Sequence, residues 1–418
     1  MLHIGSTSNR LATSHIMPPN TMSERRTSLL GALLTALGPI AMSIYTPTMP
    51  TLVGVFSTSD AAIKMSLSLY FAGFAVAQLA GGPLSDAIGR RKATLGFLAI
   101  FITGSVIAAF APSVSWLLLG RLVQGIGTSI GAAVARAIVR DQFVGVQSAR
   151  IMNTIGIVLS VGPALAPTAG GLLLSAFGWQ SVFIALLAFG LFAAACVGFF
   201  MVETATPNPQ LARPGRLAAS YLRLLTEPRF VAGSLVLMGT IGALYAQSTM
   251  LPFILIKLVG LTPTQFGLGM LAQTGSYFLG SLALRFVAPH FGGHGSAKAG
   301  LCFTALGAAS MLYATHFMTP TYLDIMGPVA LCTFGLAMVS PHVVTATLQP
   351  FPEIAGSASA LMGFIQMGGG FLAGSLAALF PTPLMAFGLI IPFMELLAVA
   401  SYAMLVLASR RRGSRSFS

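Results

Sequence analysis

The chain has 418 residues, 55 % of them hydrophobic and only 7 % charged, whereas soluble domains carry about 25 % charged residues. It cannot clothe itself for water, so lipid is the solvent for most of its length. A net charge of +13 does not point to nucleic acid, because the lysines and arginines fall in short connectors between apolar runs, where a positive-inside bias accounts for them.

The first 27 residues are polar and weakly patterned. The apolar run at 29–40 leads into Pro47 and Pro50 without a small-residue cleavage pattern, and many spans follow. It reads as a retained crossing and not as a signal peptide. Runs of membrane-crossing length, roughly 17–25 residues, lie near 28–50, 62–82, 93–112, 114–139, 151–175 and 179–201. A polar linker at 202–229 follows, with Pro207, Pro209, Pro214 and Pro228 among Arg213, Arg216, Arg223 and Arg229. Within it, 216–225 reads either as a short amphipathic surface helix or as a loose tether. Six more runs lie near 230–256, 264–288, 297–318, 321–348, 354–380 and 383–408, before a basic tail at 409–418.

The expected fold is an all-α polytopic membrane protein of twelve helices in two pseudo-symmetric six-helix bundles, 28–201 and 230–408. Duplicated architecture of this kind is commonest among transporters. With the amino terminus in the cytoplasm, Arg10, Arg25, Arg26, the 90–92 cluster, Arg140, Arg150, the linker arginines, Arg285, Lys298 and the tail all fall inside, and only Lys64 and Lys257 outside. Both termini are therefore expected in the cytoplasm, with the body in the cell inner membrane. Cys196, Cys302 and Cys332 fall within apolar runs and read as small hydrophobic residues, not ligands or disulfides.

The densest motif is the connector at 82–92, GPLSDAIGRRK. Asp86 and Arg90 are four apart, so a helical turn would stack them, and Gly89 permits a turn that a side chain would obstruct. Arg136, Arg140 and Asp141 end helix 4 on the same face. With Asp86, Arg90 and Arg91 they could form a network holding a cytoplasmic gate. Helix 5 carries Gly162, Ala166 and Gly170 at four-residue spacing, beside the bending Pro163 and Pro167 and next to Gly171, a surface on which another helix can pack closely.

Two charges lie within the hydrocarbon. Arg121, one-third along helix 4, either faces a cavity or partner, with Gln124 and Gln78 as possible polar neighbours, or snorkels to the interface. Glu395, near mid-bilayer in helix 12, either carries a proton or is a protonated structural group. Ser43, Tyr45, Tyr70, Phe74, Gln78, Gln124, Tyr245, Gln247, Tyr277, Phe364 and Gln366 are candidate cavity residues, whose aromatic faces and few donors suit a small organic molecule. The alternative for each aromatic is a place against lipid or a neighbouring helix. His290, His294, His316 and His342 form no helical metal-ligand pattern, and no phosphate-binding Gly-rich loop ends in Gly-Lys-Ser/Thr. Neither a metal, a cofactor nor ATP is expected, and no nucleophile–base arrangement suggests an enzyme.

The 82–92 connector, matched at Gly82, Leu84, Asp86, Gly89, Arg90 and Arg91, resembles the inner 2–3 loop signature of the major facilitator superfamily. The stretch 119–127, LGRLVQGIG, resembles its helix 4 motif, and Gly162-Pro163 through Gly170-Gly171 its helix 5 antiporter motif. With 136–141, RAIVRD, and 355–360, AGSASA, they resemble in particular the drug:proton antiporters of the bicyclomycin/chloramphenicol resistance type. That resemblance implies alternating access around a central cavity, with inward protons exchanged for an outgoing drug-like compound, by a protein working as a monomer among membrane lipids. It lends gate roles to Asp86, Arg90 and Arg91, a coupling or substrate role to Arg121, and packing against leakage to Gly162, Pro163, Gly170 and Gly171. One departure stands out. This branch often has an acid before its Tyr-x-Pro stretch, where this chain has Ser43 before Ile44-Tyr45-Thr46-Pro47. Coupling would then rest on Glu395 or on the Asp86/Asp141 region. Export of an endogenous metabolite such as an amino acid derivative or siderophore, and a non-transporting membrane sensor, are the competing readings.

Overall fold

The computed structural model describes residues 22–209 and 213–415, except for the side chains of Ser160 and residues 408–415. The charges expected at Arg10 and in the basic tail lie outside that description. Among the described residues, eleven helices are long and apolar enough to cross a membrane. We label them α1 (Glu24–Val55), α2 (Asp60–Ile88), α3 (Arg90–Ala109), α4 (Val114–Gln142), α5 (Gly145–Phe177), α6 (Gln180–Phe200), α7 (Pro228–Leu258), α8 and α9 (together Pro263–Phe317), α10 (Tyr322–Leu348), α11 (Pro352–Leu379) and α12 (Pro383–Leu407).

The 55-residue stretch Pro263–Phe317 would measure roughly 80 Å as one helix, against a hydrocarbon core of about 30 Å. It is two crossings. Gly292 breaks it with φ 66° and ψ 179°. Gly280 and Gly300, on either side, both lie against residues 334–339 of α10. The chain therefore doubles back at Gly292, which gives twelve crossings. Gly89, between α2 and α3, has the same kind of backbone, φ 100° and ψ 149°, in the left-handed half of the map that glycine adopts without steric cost. The second-half turn has a glycine in the same role, without the acid and arginines that flank Gly89.

Helix starts are set by local chemistry. The hydroxyls of Ser23 and Ser59 accept from the Arg26 and Ala62 amides at 3.3 and 3.2 Å. Thr262–Gln265 and Thr321–Asp324 form reciprocal capping boxes at the starts of α8 and α10. The linker contains a helix at Pro214–Leu225. Its Leu224 is buried and its Tyr221 hydroxyl donates to the Leu79 carbonyl of α2 at 2.6 Å. Of the two readings of this segment, the docked amphipathic helix is the one found.

Each half has its own apolar core. That of α1–α6 is centred on Leu34, Leu37, Phe71, Phe101, Phe183 and their neighbours. The core of α7–α12 has one cluster around Leu251, Phe266 and Phe387 and another around Phe230, Val339 and Val343. Between the halves, α2 runs beside α11, and α5 pairs with the first turns of α8. The helices alternate in direction, so the turns at Gly89 and Gly292 and the linker share one face, called here the basic face.

Candidate functional site

Closure between the halves is concentrated on the face opposite the basic one. A Cβ added to Gly171 of α5 would strike the backbone of Pro263, and one added to Gly267 of α8 would strike that of Pro167 and Thr168. Ser175 and Thr264 face each other there at 3.4 Å. On the α2 side, Lys257 of α7 donates to Asp60 at 2.5 Å, and the ammoniums of Lys64 and Lys257 lie 5.7 and 5.4 Å from the Phe253 ring. Towards the basic face α5 loses this cover, and residues 153, 154 and 156–159 are all exposed. The two bundles are thus pressed together along α5 and α8 at the face opposite the basic one, and α5 is uncovered towards the other.

Arg121 sits in the interior of the first bundle, 0 % exposed. This excludes snorkelling. Its Nη1 donates to Gln124 Oε1 at 2.6 Å and to the Ala41 carbonyl at 3.4 Å, and Gln124 in turn donates to Ser105 at 2.9 Å. The guanidinium carbon lies 4.5 Å from the Tyr45 ring and 4.3 Å from the Tyr70 ring. Both rings are pinned by their hydroxyls. Tyr45 meets Ser66 at 2.6 Å, and Tyr70 donates to the Gly38 carbonyl at 2.8 Å with Thr128 at 3.0 Å. Tyr45 stands in a break of α1, whose first helix ends at Ser43 before a 3-10 turn at Thr46–Thr48. Close approach of α2 and α4 makes the nest possible: a side chain at Gly125 would collide with the Tyr70 carbonyl.

The other expected cavity residues divide. Phe74 packs on Tyr70 at 6.5 Å, and Phe71 on both Tyr70 and Tyr245, at 6.0 and 5.5 Å. Tyr70 and Tyr277 are within electrostatic reach of Tyr245. An aromatic row thus leads from Arg121 across to the second bundle. Ser43 is buried in the last turn of the first α1 helix, Gln247 is buried, and Gln366 is half-buried. Phe364 packs against the second bundle's core. Gln78 is not a neighbour of Arg121. It lies two turns past Tyr70 along α2 and abuts Gly363 of α11, its Oε1 buried without a partner.

At the basic face Arg90 is the hub. It is ion-paired with Asp86 one turn earlier and with Asp141 at 3.1 Å, and it donates to Ser85 at 2.8 Å. Arg140 sits at the rim of this network. Its side chain is 69 % exposed and makes a long ion pair with Asp141 Oδ1 at 4.0 Å, while Arg90 holds Oδ2 of the same carboxylate. Arg91 reaches the Gly198 carbonyl at 2.5 Å. Arg136 reaches Ser359 of α11 at 3.4 Å, a bridge between the bundles. The sequence reading missed Glu203, which caps α3 by accepting from the Arg90 and Arg91 amides at 2.6 and 3.2 Å. Its signal was an acid just past an apolar run, opposite a helix start with no acid of its own. The reading also missed the Asp60–Lys257 pair, whose partners are 197 residues apart.

Glu395 of α12 is 3 % exposed, and its Oε2 has no partner. Cys332 of α10 is its titratable neighbour. Seven residues on, the Tyr402 hydroxyl meets His294 Nδ1 at 2.6 Å, and the His294 and His342 rings are 4.9 Å apart. The described residues contain no group of three or more His, Cys, Asp or Glu able to hold a metal, and the three cysteines are free.

The family model described as Major Facilitator Superfamily matches residues 31–374, most of the chain. The chain belongs to this superfamily. Multidrug resistance protein D of Escherichia coli (strain K12) is 28 % identical over 390 residues, covering 91 % of this chain and 95 % of that protein. The multidrug transporter MdfA of Yersinia pestis (strain Angola) is 28 % identical over 335 residues, covering 78 % and 80 %. Among solved structures, a D-xylose–proton symporter matches at TM-score 0.70 with 15 % identity, over 91 % of this chain and 97 % of that one. The human organic anion transporter MFSD10 matches at 0.65 with 18 % identity, over 93 % and 100 %. These likenesses show the two-bundle superfamily fold. This superfamily member is a multi-pass, non-enzymatic secondary active transporter of small organic molecules, resembling the multidrug carriers and working by alternating access.

Proposed function

We propose that the protein exports drug-like organic compounds across the inner membrane in exchange for protons, its basic face and both termini lying in the cytoplasm. The observation that carries this reading is the pair of ionisable side chains sealed within the membrane, Arg121 in one bundle and Glu395 in the other. Intramembrane ions are costly and are kept where they do work. The end-to-end likeness to proteins named for multidrug resistance supports the direction and the class of cargo. Arg121 and the aromatic row would hold the compound. Glu395 would take up and release the proton: among the nine acids it alone is buried, and Asp86 and Asp141 are already tied to Arg90.

The test is flux in proteoliposomes of the purified protein under an imposed pH gradient, with a panel of cationic, neutral and anionic antibiotics and dyes. At least one compound should move against its own gradient and stop when the pH gradient is collapsed. A panel in which nothing moves would overturn the reading. Reporter fusions in the linker should report a cytoplasmic position, and an outside position would reverse the assigned direction.

A further inference from the structure

We propose that the transported compound carries a carboxylate, and that the Nε–Nη2 edge of Arg121 receives it. The inference rests on the export reading above, whose cargo it names by chemistry. The Nη1 group of Arg121 is engaged by Gln124 and Ala41. Nε and Nη2 are both enclosed and both without a partner. Their N–H bonds leave the guanidinium side by side along one edge, and that edge is the fork that matches the two oxygens of one carboxylate.

Charge balance points the same way. Among the described residues no ion pair involves Arg121; those found involve Arg90, Arg140, Arg150, Arg223 and Lys257. On α1, the residue two before Tyr45 is the uncharged Ser43. Two cation–π contacts return about 2 kcal/mol each when desolvated, so the tyrosines offset much of the cost of burying the charge. They do nothing for the two idle donors, which cost about 1–3 kcal/mol apiece. An alcohol could satisfy only part of this edge, and a cation would be repelled by it. A carboxylate satisfies both donors and the charge together. The body of the compound then lies along Tyr70, Phe71 and Tyr245, which favours an aromatic acid. Tyr45 stands in the break of α1, so that wall can move aside without unwinding a continuous helix.

The experiment is binding to the detergent-purified full-length protein, read as thermal stabilisation and by equilibrium binding. It uses acid–amide pairs of matched shape: benzoate with benzamide, salicylate with salicylamide, indole-3-acetate with indole-3-acetamide. At least one acid should bind about tenfold or more tightly than its amide, because an ionised acceptor strengthens both hydrogen bonds. Arg121→Lys, which keeps the charge but not the fork, should reduce the preference, and Arg121→Gln should abolish it in protein that still unfolds cooperatively. Acids binding no better than their amides throughout, or a preference that survives Arg121→Gln, would overturn the assignment. If a cationic dye such as ethidium is driven by the pH gradient while every acid fails to bind, export stands and the carboxylate falls. If acids bind through Arg121 and none crosses the membrane, the binding site stands and export falls.

Discussion

Arg121 shows what a single side chain can hold against the surrounding solvent. A buried charge without a counter-charge lowers stability by several kcal/mol, and here the rings of Tyr45 and Tyr70 and one amide offset part of that. Replacement by an uncharged residue of similar length therefore has a predictable sign. Arg121→Met should leave the melting temperature unchanged or raise it while transport falls at least about a hundredfold, the signature of a group kept for function at the expense of stability. A melting temperature lowered by several degrees would instead make Arg121 a structural strut. Gln124→Glu carries a second prediction. It places a carboxylate at the 2.6 Å contact now made by the amide, so it should stabilise the protein while weakening recognition of acids. Sequence alone made Arg121 and Glu395 conspicuous, because a charge inside an apolar run is rare. It could not show which neighbours each would find. Gln124 is one turn from Arg121 on the same helix and was legible as its neighbour. Gln78 was not, because its place is fixed by how α2 lies against α11.

Among the elements, α5 and α8 are the pair we propose to carry the movement. Their small residues meet backbone to backbone near Gly171 and Gly267, so the two helices can separate or close with little side-chain rearrangement. Gly171→Val would push a branched side chain into the Pro263 carbonyl, an overpacking that costs about 1–3 kcal/mol. That is enough to shift a balanced equilibrium between end states by roughly 5- to 150-fold. Cysteines introduced on α5 and α8 at the closed face should then react faster with a membrane-impermeant thiol reagent in Gly171→Val than in the otherwise identical parent. Equal rates would remove this contact from the gate. The helix 5 motif made these glycines visible in the sequence. Their partners on α8 were not visible, because 263–269 carries only an ordinary capped helix start.

The whole molecule was the most legible scale of all. Composition and run length dictate a membrane bundle, and equal helix counts on either side of a basic linker dictate two halves. The turn at Gly292 was legible too, since the apolar runs at 264–288 and 297–318 part there, although the second-half turn has the glycine without the close flanking charges of the 82–92 connector. The Asp60–Lys257 latch is a property of the assembled halves. Its partners are 33 % and 40 % exposed, and pairs of this kind contribute about 0.2–1 kcal/mol. Asp60→Asn should therefore change transport by no more than about fivefold, whereas bridging cysteines at 60 and 257 with a short bis-methanethiosulfonate linker should stop it until the linker is reduced. A latch mutant that abolished transport by itself would mean the pair does more than bias closure.

The central claim is that a cargo site and a separate proton site share one two-state body, with Glu395 as the proton site. The measurement closest to it compares the protein with its Glu395→Gln variant in proteoliposomes, in two assays on the same preparation: counterflow of labelled cargo without any gradient, and cargo movement driven by an imposed pH gradient. Glu395→Gln should keep counterflow, since the bundles still rock with cargo bound, and should lose the response to pH. Retention of pH-driven movement by a well-expressed Glu395→Gln protein would contradict the claim.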